Sequence, residues 1–232
     1  MPTPNELLET IELATGPRGA AAQAAVIWMH GLGADGHDFE AIVPELRLPP
    51  SMAVNFVFPN APMQPVTINN GHVMRAWYDV AFGDLEGRSR RPDEAGVRAS
   101  VAHIERLIAR EVQRGVPSER IAIAGFSQGG AIALATGLRH AHRLAGIMAL
   151  STYLPLGESL PAEAAEANRQ VPVFFAHGTV DPVIPIEMAT ASVQRLQDLG
   201  YPVEWHEYRM PHSVHPQEVV DIRDWLVRVL GG

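Results

Sequence analysis

Ser127 has the most suggestive surroundings in the chain. It is the centre of Gly125-Phe126-Ser127-Gln128-Gly129, entered by the apolar run 121–124 and left by the alanine-rich run 131–138. A Gly-x-Ser-x-Gly turn between a strand and a helix is so tight that its serine stands above the sheet edge, with the hydroxyl free to attack a carbonyl carbon. Side chains at Gly125 and Gly129 would collide as strand and helix close on each other. The helix beginning at Gln128 turns free N–H groups and the positive end of its dipole toward the serine, where an oxyanion would form. A glycine-rich turn without chemistry is the competing reading of the pentapeptide. The strand before it and the helix after it favour a nucleophile.

Such a serine needs a base and something to orient that base. Asp181 follows the strand-like run 171–176 in His177-Gly178-Thr179-Val180-Asp181-Pro182, past the carboxyl end of a strand, where open parallel sheets bind ligands. An Asp-Pro turn residue is the alternative. The next strand-like run, 203–208, leads into Met210-Pro211-His212-Ser213-Val214-His215-Pro216, which offers two histidines. His215 precedes a proline that suits a helix start, so its backbone is restricted and it reads as a flank of that helix. His212 lies in the loop proper and is the favoured base. Metal pairs at His212/His215 and His140/His142 fit by spacing alone, but no third ligand accompanies either pair, so no metal is expected.

Composition narrows the chemistry further. There is no cysteine, and all 18 Lys+Arg residues are arginine. Thiol nucleophiles, thiolate metal sites, disulfides, Schiff bases and Ser–Lys mechanisms are therefore excluded. The formal charge is −8 and there is no long basic tract, so nucleic acid is not an expected partner. Arg88, Arg90 and Arg91 form the one local basic cluster and read as a solvated loop. No apolar run reaches the roughly 20 residues of a membrane span, and the start lacks the plan of a signal peptide, so the expected location is cytoplasmic.

A second glycine motif competes for the function. Gly31, Gly33 and Gly36 follow the buried strand 24–30 and match G-x-G-x-x-G, which would suit a nicotinamide-binding oxidoreductase. That reading needs an acid at the end of the next strand. The next strand, 54–58, ends in Pro59-Asn60 instead. The alternative is an oxyanion loop, with the backbone N–H of Leu32 as donor.

The elements that carry these residues alternate. Strand-like runs at 24–30, 54–58, 121–124, 145–150, 171–176 and 203–208 are separated by helical stretches, including 92–114, 187–199 and 217–230. The expected fold class is α/β: a mostly parallel sheet with helices on both faces, in one domain over 1–232. In the helix 92–114, Val97, Val101, Ile104, Ile108 and Val112 form one apolar stripe. About 20 residues separate the runs 145–150 and 171–176, too few for a separate cap domain. The segment 61–82 is punctuated by prolines and an Asn-Gly turn, and is longer than a plain connector. Its Met63, Val66, Met74 and Trp77 are either walls of an acyl pocket or ordinary core.

These pieces together carry a resemblance. His30-Gly31-Leu32-Gly33, Phe58-Pro59-Asn60-Ala61-Pro62, Pro65-Val66-Thr67, Trp77-Tyr78-Asp79, Gly125 to Gly130, His177-Gly178-x-x-Asp181 and Met210-x-His212 occur in the order of the phospholipase/carboxylesterase family of α/β-hydrolases. The chain resembles that family over about residues 25–230. The resemblance implies a serine carboxylesterase with Ser127 as nucleophile, Asp181 and His212 as its partners, and Leu32 and Gln128 N–H groups as the oxyanion hole. It also implies that the 61–82 loop, with Trp77, walls the acyl site. Family substrates are short- and medium-chain carboxylic esters, lysophospholipids and acyl thioesters, so an acyl-protein thioesterase or lysophospholipase using the same three residues is the alternative to a carboxylesterase. No cofactor is implied, and a monomer or homodimer is expected.

Overall fold

Strong β-formers pair into a seven-stranded sheet in the computed structural model, which describes residues 7–81 and 93–231. In chain order the strands are β1 (Thr10–Ala14), β2 (Ala24–Met29), β3 (Val54–Pro59), β6 (Ile121–Phe126), β7 (Gly146–Leu150), β8 (Val173–Gly178) and β9 (Val203–Tyr208). Their spatial order is β1-β3-β2-β6-β7-β8-β9. β1 runs antiparallel to β3 at one edge, and every other pairing is parallel. A separate antiparallel hairpin, β4 (Met63–Val66) with β5 (His72–Arg75), lies within the segment 61–81.

Both faces of the central strands are buried, and the alternation of side chains sorts them into two cores. Ile27, Met29, Ile123, Ile147 and Phe175 face α2 (Glu94–Gln113), α3 (Gln128–Gly137) and α5 (Ile186–Asp198). Val26, Trp28, Ala122, Met148 and Phe174 face α6 (Pro216–Leu230) and the segment carrying Phe39, Val43 and Leu46 around the single turn α1 (Ile42–Glu45). All ten residues of α3 are buried, which its small and largely apolar composition allows. Residues 151–172 hold only the turn α4 (Leu160–Glu163) and a 3-10 turn, so no domain is inserted there.

The β4–β5 hairpin, β1 and the end of α2 depart from expectation. β1 was not foreseen: Thr-Ile-Glu-Leu-Ala is half-exposed and pairs only at an edge. In α2 the apolar stripe does not extend to Val112, which is 45% exposed. The inward position there belongs to Glu111, held by Arg110 at 2.9 Å, Arg114 at 3.1 Å and Asn55 at 3.1 Å. A buried carboxylate with three donors is satisfied, and the helix rotates it inward accordingly. Arg88, Arg90 and Arg91 lie outside the described residues.

α6 begins with a capping box. His215 accepts from the Gln217 N–H through Nδ1, and the Glu218 carboxylate accepts from the His215 N–H at 3.0 Å. Glu218 is fully buried and its second oxygen has no partner among the described residues. Burial, reinforced by Asp221, pushes its carboxyl up to about 7 against the opposing pull of the capped N–H. Between the ordinary glutamate range and pH 7 the folded state therefore binds more protons than the unfolded state, and stability falls as pH rises through that window. Glu218→Gln keeps an acceptor for the cap and removes the charge. It should raise Tm by about 5 °C at pH 8.5 and much less near pH 4.5, measured by thermal denaturation.

Candidate active site

The turn at Ser127 is as tight as the glycines suggest. Ser127 itself adopts φ 54° and ψ −120°, a conformation that costs a non-glycine residue about 1–3 kcal/mol. A Cβ on Gly125 would lie 2.2 Å from the Gly129 carbonyl, so strand and helix do meet there. A Cβ on Gly129 would instead strike the Met29 and His30 carbonyls at 2.4 and 2.6 Å, the end of the neighbouring strand β2. The turn is pinned from its far side: Ser127 N–H donates to Leu150 O at 2.8 Å, and Thr152 Oγ1–H donates to Ser127 O at 2.7 Å.

Asp181 and His212 meet beside this turn. His212 Nδ1–H donates to Asp181 Oδ2 at 2.7 Å. The other oxygen, Oδ1, accepts from the N–H groups of Val183 (2.8 Å) and Ile184 (3.0 Å), so the carboxylate is fixed in orientation and fully buried. The loop carrying Asp181 is tied to the histidine loop by Thr179 N–H to Tyr208 O and Val180 N–H to Met210 O. Gly178 allows this approach, because a Cβ there would lie 2.3 Å from Met210 O and 2.7 Å from Pro211 O. The His212 ring packs on Phe126, the residue before Ser127, with centroids 4.7 Å apart. Among the described residues no hydrogen bond reaches Ser127 Oγ, from His212 Nε2 or from any other group. Such bonds are often long without substrate and tighten when it binds. His215 is occupied as the α6 cap and stacks on Tyr208, while His140 pairs with Glu105. No group of three His, Asp or Glu side chains among the described residues could hold a metal.

Leu32 lies next to the serine as well. A Cβ on the preceding Gly31 would be 3.5 Å from Ser127 Cβ, and among the described residues the Leu32 N–H has no hydrogen-bond partner. The loop holding it is set by His30. Ala61 N–H donates to His30 Nε2 at 3.0 Å, so the ring proton sits on Nδ1 and is donated to Gly31 O at 2.7 Å. Burial holds this imidazole below its usual range, and hence neutral. Gly33, with φ 78°, continues the loop and donates to Arg75 O. Asn60, at the place where a nucleotide-binding site would carry an acid, accepts from Gly36 N–H at 2.8 Å. It therefore closes the loop.

The expected acyl-pocket residues separate. Met74 lies at the Gly31–Gly33 loop, its Sδ 3.6 Å from a Cβ placed on Gly33. Met63 is 50% exposed and borders a different groove, with Leu8 and Pro62. Val66 and Trp77 are 0% and 1% exposed, so neither is an open wall; both are packed interior. Trp77 acts from behind: its indole N–H donates to His30 O at 2.9 Å, and its carbonyl accepts from Ser100 Oγ–H. Gln128 was singled out for its backbone alone, yet its side chain is as important. Its Oε1 accepts from Trp77 N–H at 2.8 Å and its Nε2–H donates to Tyr78 O at 2.6 Å. A polar side chain at the start of an otherwise apolar helix was the available signal for that role.

A parallel sheet flanked by helices, with a serine on a strained strand-to-helix turn and an Asp–His pair at the same edge, defines an α/β-hydrolase. Residues 13–230 match the phospholipase/carboxylesterase family, so the chain belongs to that family and is a serine hydrolase. It is 37% identical over 220 residues to acyl-protein thioesterase 1 of Gibberella zeae, covering 92% of this chain and 94% of that protein. It is 40% identical over 222 residues to acyl-protein thioesterase 1 of Neurospora crassa, covering 92% and 90%. The crystal structure of Arabidopsis thaliana SOBER1 superposes with a TM-score of 0.84 at 33% identity, over 90% of this chain and all of that one. No helix among the described residues is long and apolar enough to cross a membrane.

Gly178→Ala should test the approach of the two loops. The added methyl has only backbone carbonyls to displace, so the Asp181–His212 bond should lengthen and kcat fall at least about tenfold, read by steady-state hydrolysis alongside a circular dichroism spectrum that remains native.

Proposed function

We propose that this chain hydrolyses acyl thioesters through an acyl-enzyme on Ser127, with carboxylic oxygen esters as its second class of substrate. The observation that carries this reading is the 2.7 Å bond from His212 Nδ1 to Asp181 Oδ2 beside the strained turn of Ser127. A carboxylate only accepts, so the imidazole proton is held on Nδ1 and the Nε2 lone pair is left as the base. His212 takes the proton of Ser127 as its oxygen attacks the carbonyl carbon, and Asp181 stabilises the imidazolium that forms. The N–H groups of Leu32 and Gln128 receive the oxyanion, each contributing about 3 kcal/mol by analogy with other oxyanion holes. His212 then gives its proton to the leaving sulfur or oxygen, and water releases the acyl group by the reverse sequence. Neither metal nor cofactor takes part in these steps.

The preference for sulfur is supported by the relatives above, which are named acyl-protein thioesterases. The family description supports the carboxylesterase reading. The same machinery serves both, and so the leaving atom decides nothing about the residues used.

Ser127→Ala should lower kcat at least about 10⁴-fold and abolish labelling by a fluorophosphonate probe. Asp181→Asn should cost on the order of 10³–10⁴-fold, because the imidazole then loses its preferred tautomer. Matched octanoyl substrates give the substrate class: kcat/KM should be higher for the thioester than for the oxygen ester, and the opposite order would return the assignment to a carboxylesterase.

A further inference from the structure

A cavity of about 770 Å³ opens directly beside His212, and none of its walls comes from the 61–81 segment. Its lining is more apolar than polar, with Phe39 and Ile42 from the segment before and in α1, Phe126 from the serine turn, Val214 from the histidine loop, and Val219 from α6. The volume lies in the range of small-molecule pockets. Four charges stand at its edges, Asp38 and Glu45 against Arg47 and Arg223, and Arg223 already pairs with Asp224 at 2.7 Å. The lining therefore carries no net charge and selects neither an anion nor a cation.

We propose that this cavity binds the alcohol or thiol half of the substrate, and that it takes an uncharged aliphatic or aryl group. The inference rests on the hydrolytic reading above and adds the direction of the substrate. In R–CO–X–R′ the bond that breaks joins the carbonyl carbon to X, and a new bond joins that carbon to Ser127 Oγ. The proton that His212 takes from Ser127 is the one it delivers to X, giving HX–R′. X must therefore come within hydrogen-bonding reach of the imidazole, and R′ continues past it into the space the imidazole walls. The acyl group R leaves the same carbon on another side, toward the Leu32–Gly33 loop where Met74 lies. The two halves of the substrate are thus sorted by one histidine.

Two series of oxygen esters separate the halves: acetates of ethanol to octanol, in which the alcohols have similar acidity, and ethyl esters of acetic to octanoic acid. In the wild-type protein kcat/KM should rise about two- to fourfold per methylene along the alcohol series until the cavity is filled. Val219→Trp pushes a bulky ring from α6 into the cavity and should flatten that rise, while the dependence on acyl length keeps its slope. Slopes are compared within each variant, so a general loss of activity does not disturb the reading. Should the tryptophan variant fail to fold, Val219→Ala enlarges the cavity and should move the best alcohol one or two carbons longer. Flattening of the acyl series instead would assign the cavity to the acyl chain and overturn the proposal. An alcohol series already flat in the wild type, or unmoved by either variant, would overturn it with hydrolysis intact. Loss of all Ser127-dependent hydrolysis in the wild type would overturn the underlying reading, and this inference with it.

Discussion

The backbone at Ser127 is strained, and the site depends on the surroundings that hold it so. A serine at φ 54° and ψ −120° would relax if the strand β6 and the helix α3 could separate. They cannot, because Gly125 lets β6 touch the backbone at Gly129, Gly129 lets α3 touch the end of β2, and α3 is buried on every side. Leu150 O and Thr152 Oγ1 hold the peptide groups on either side of the serine from the next strand and its loop. The turn is thus held in its strained form by its surroundings, with Ser127 itself only 9% exposed, and needs no substrate to set it.

Gln128 extends that constraint sideways. Its backbone opens α3 beneath the serine, while its side chain bridges Trp77 N–H and Tyr78 O. Trp77 in turn holds the His30 carbonyl, and His30 shapes the Gly31–Leu32 turn. The two expected oxyanion donors are thereby linked through one chain of buried hydrogen bonds, every one of them between groups that would be costly to leave unpaired. The Gln128 side chain and the Gly31–Leu32 turn are therefore held by the same set of bonds.

What was legible in the sequence follows from which forces act locally. The parallel strands were readable because both of their faces are buried and their runs are continuously apolar, as at Ala24–Met29 and Ile121–Ala124. The placement of Ser127, Asp181 and His212 at one edge of the sheet was readable because each follows a strand in a stretch marked by glycine or proline. β1 escaped because an edge strand with one wet face has a weak pattern, and the β4–β5 hairpin because Pro65 interrupts its alternation. Val112 and Glu111 exchanged places for a reason that spans the chain: Asn55 comes from β3, far from α2 in sequence. Trp77 and Val66 were placed in the right segment, but whether a side chain faces a pocket or the core depends on partners such as His30 and Ser100 that periodicity does not contain. The cavity beside His212 had no sequence signal at all, being a gap between α1 and α6.

The pair His30-Gly31 and His177-Gly178 shows one device used twice at the carboxyl edge of the sheet. Each histidine sits where a strand runs out into its loop, at the end of β2 and within the last residues of β8, and burial holds each ring below the usual imidazole range. Each donates its single ring proton to a carbonyl of the loop that follows: His30 to Gly31 O, and His177 through Nε2 to Ile184 O at 2.9 Å. A carbonyl only accepts, so His177 carries its proton on Nε2 and its buried Nδ1 has no partner among the described residues. The first ring thereby shapes the loop that presents Leu32, and the second shapes the 181–184 turn whose N–H groups orient Asp181. A second proton would break the bond from Ala61 N–H to His30, and at His177 it would bury a cation at the unpartnered Nδ1, a cost that Asp181 Oδ2, 3.5 Å from Nε2, offsets only in part.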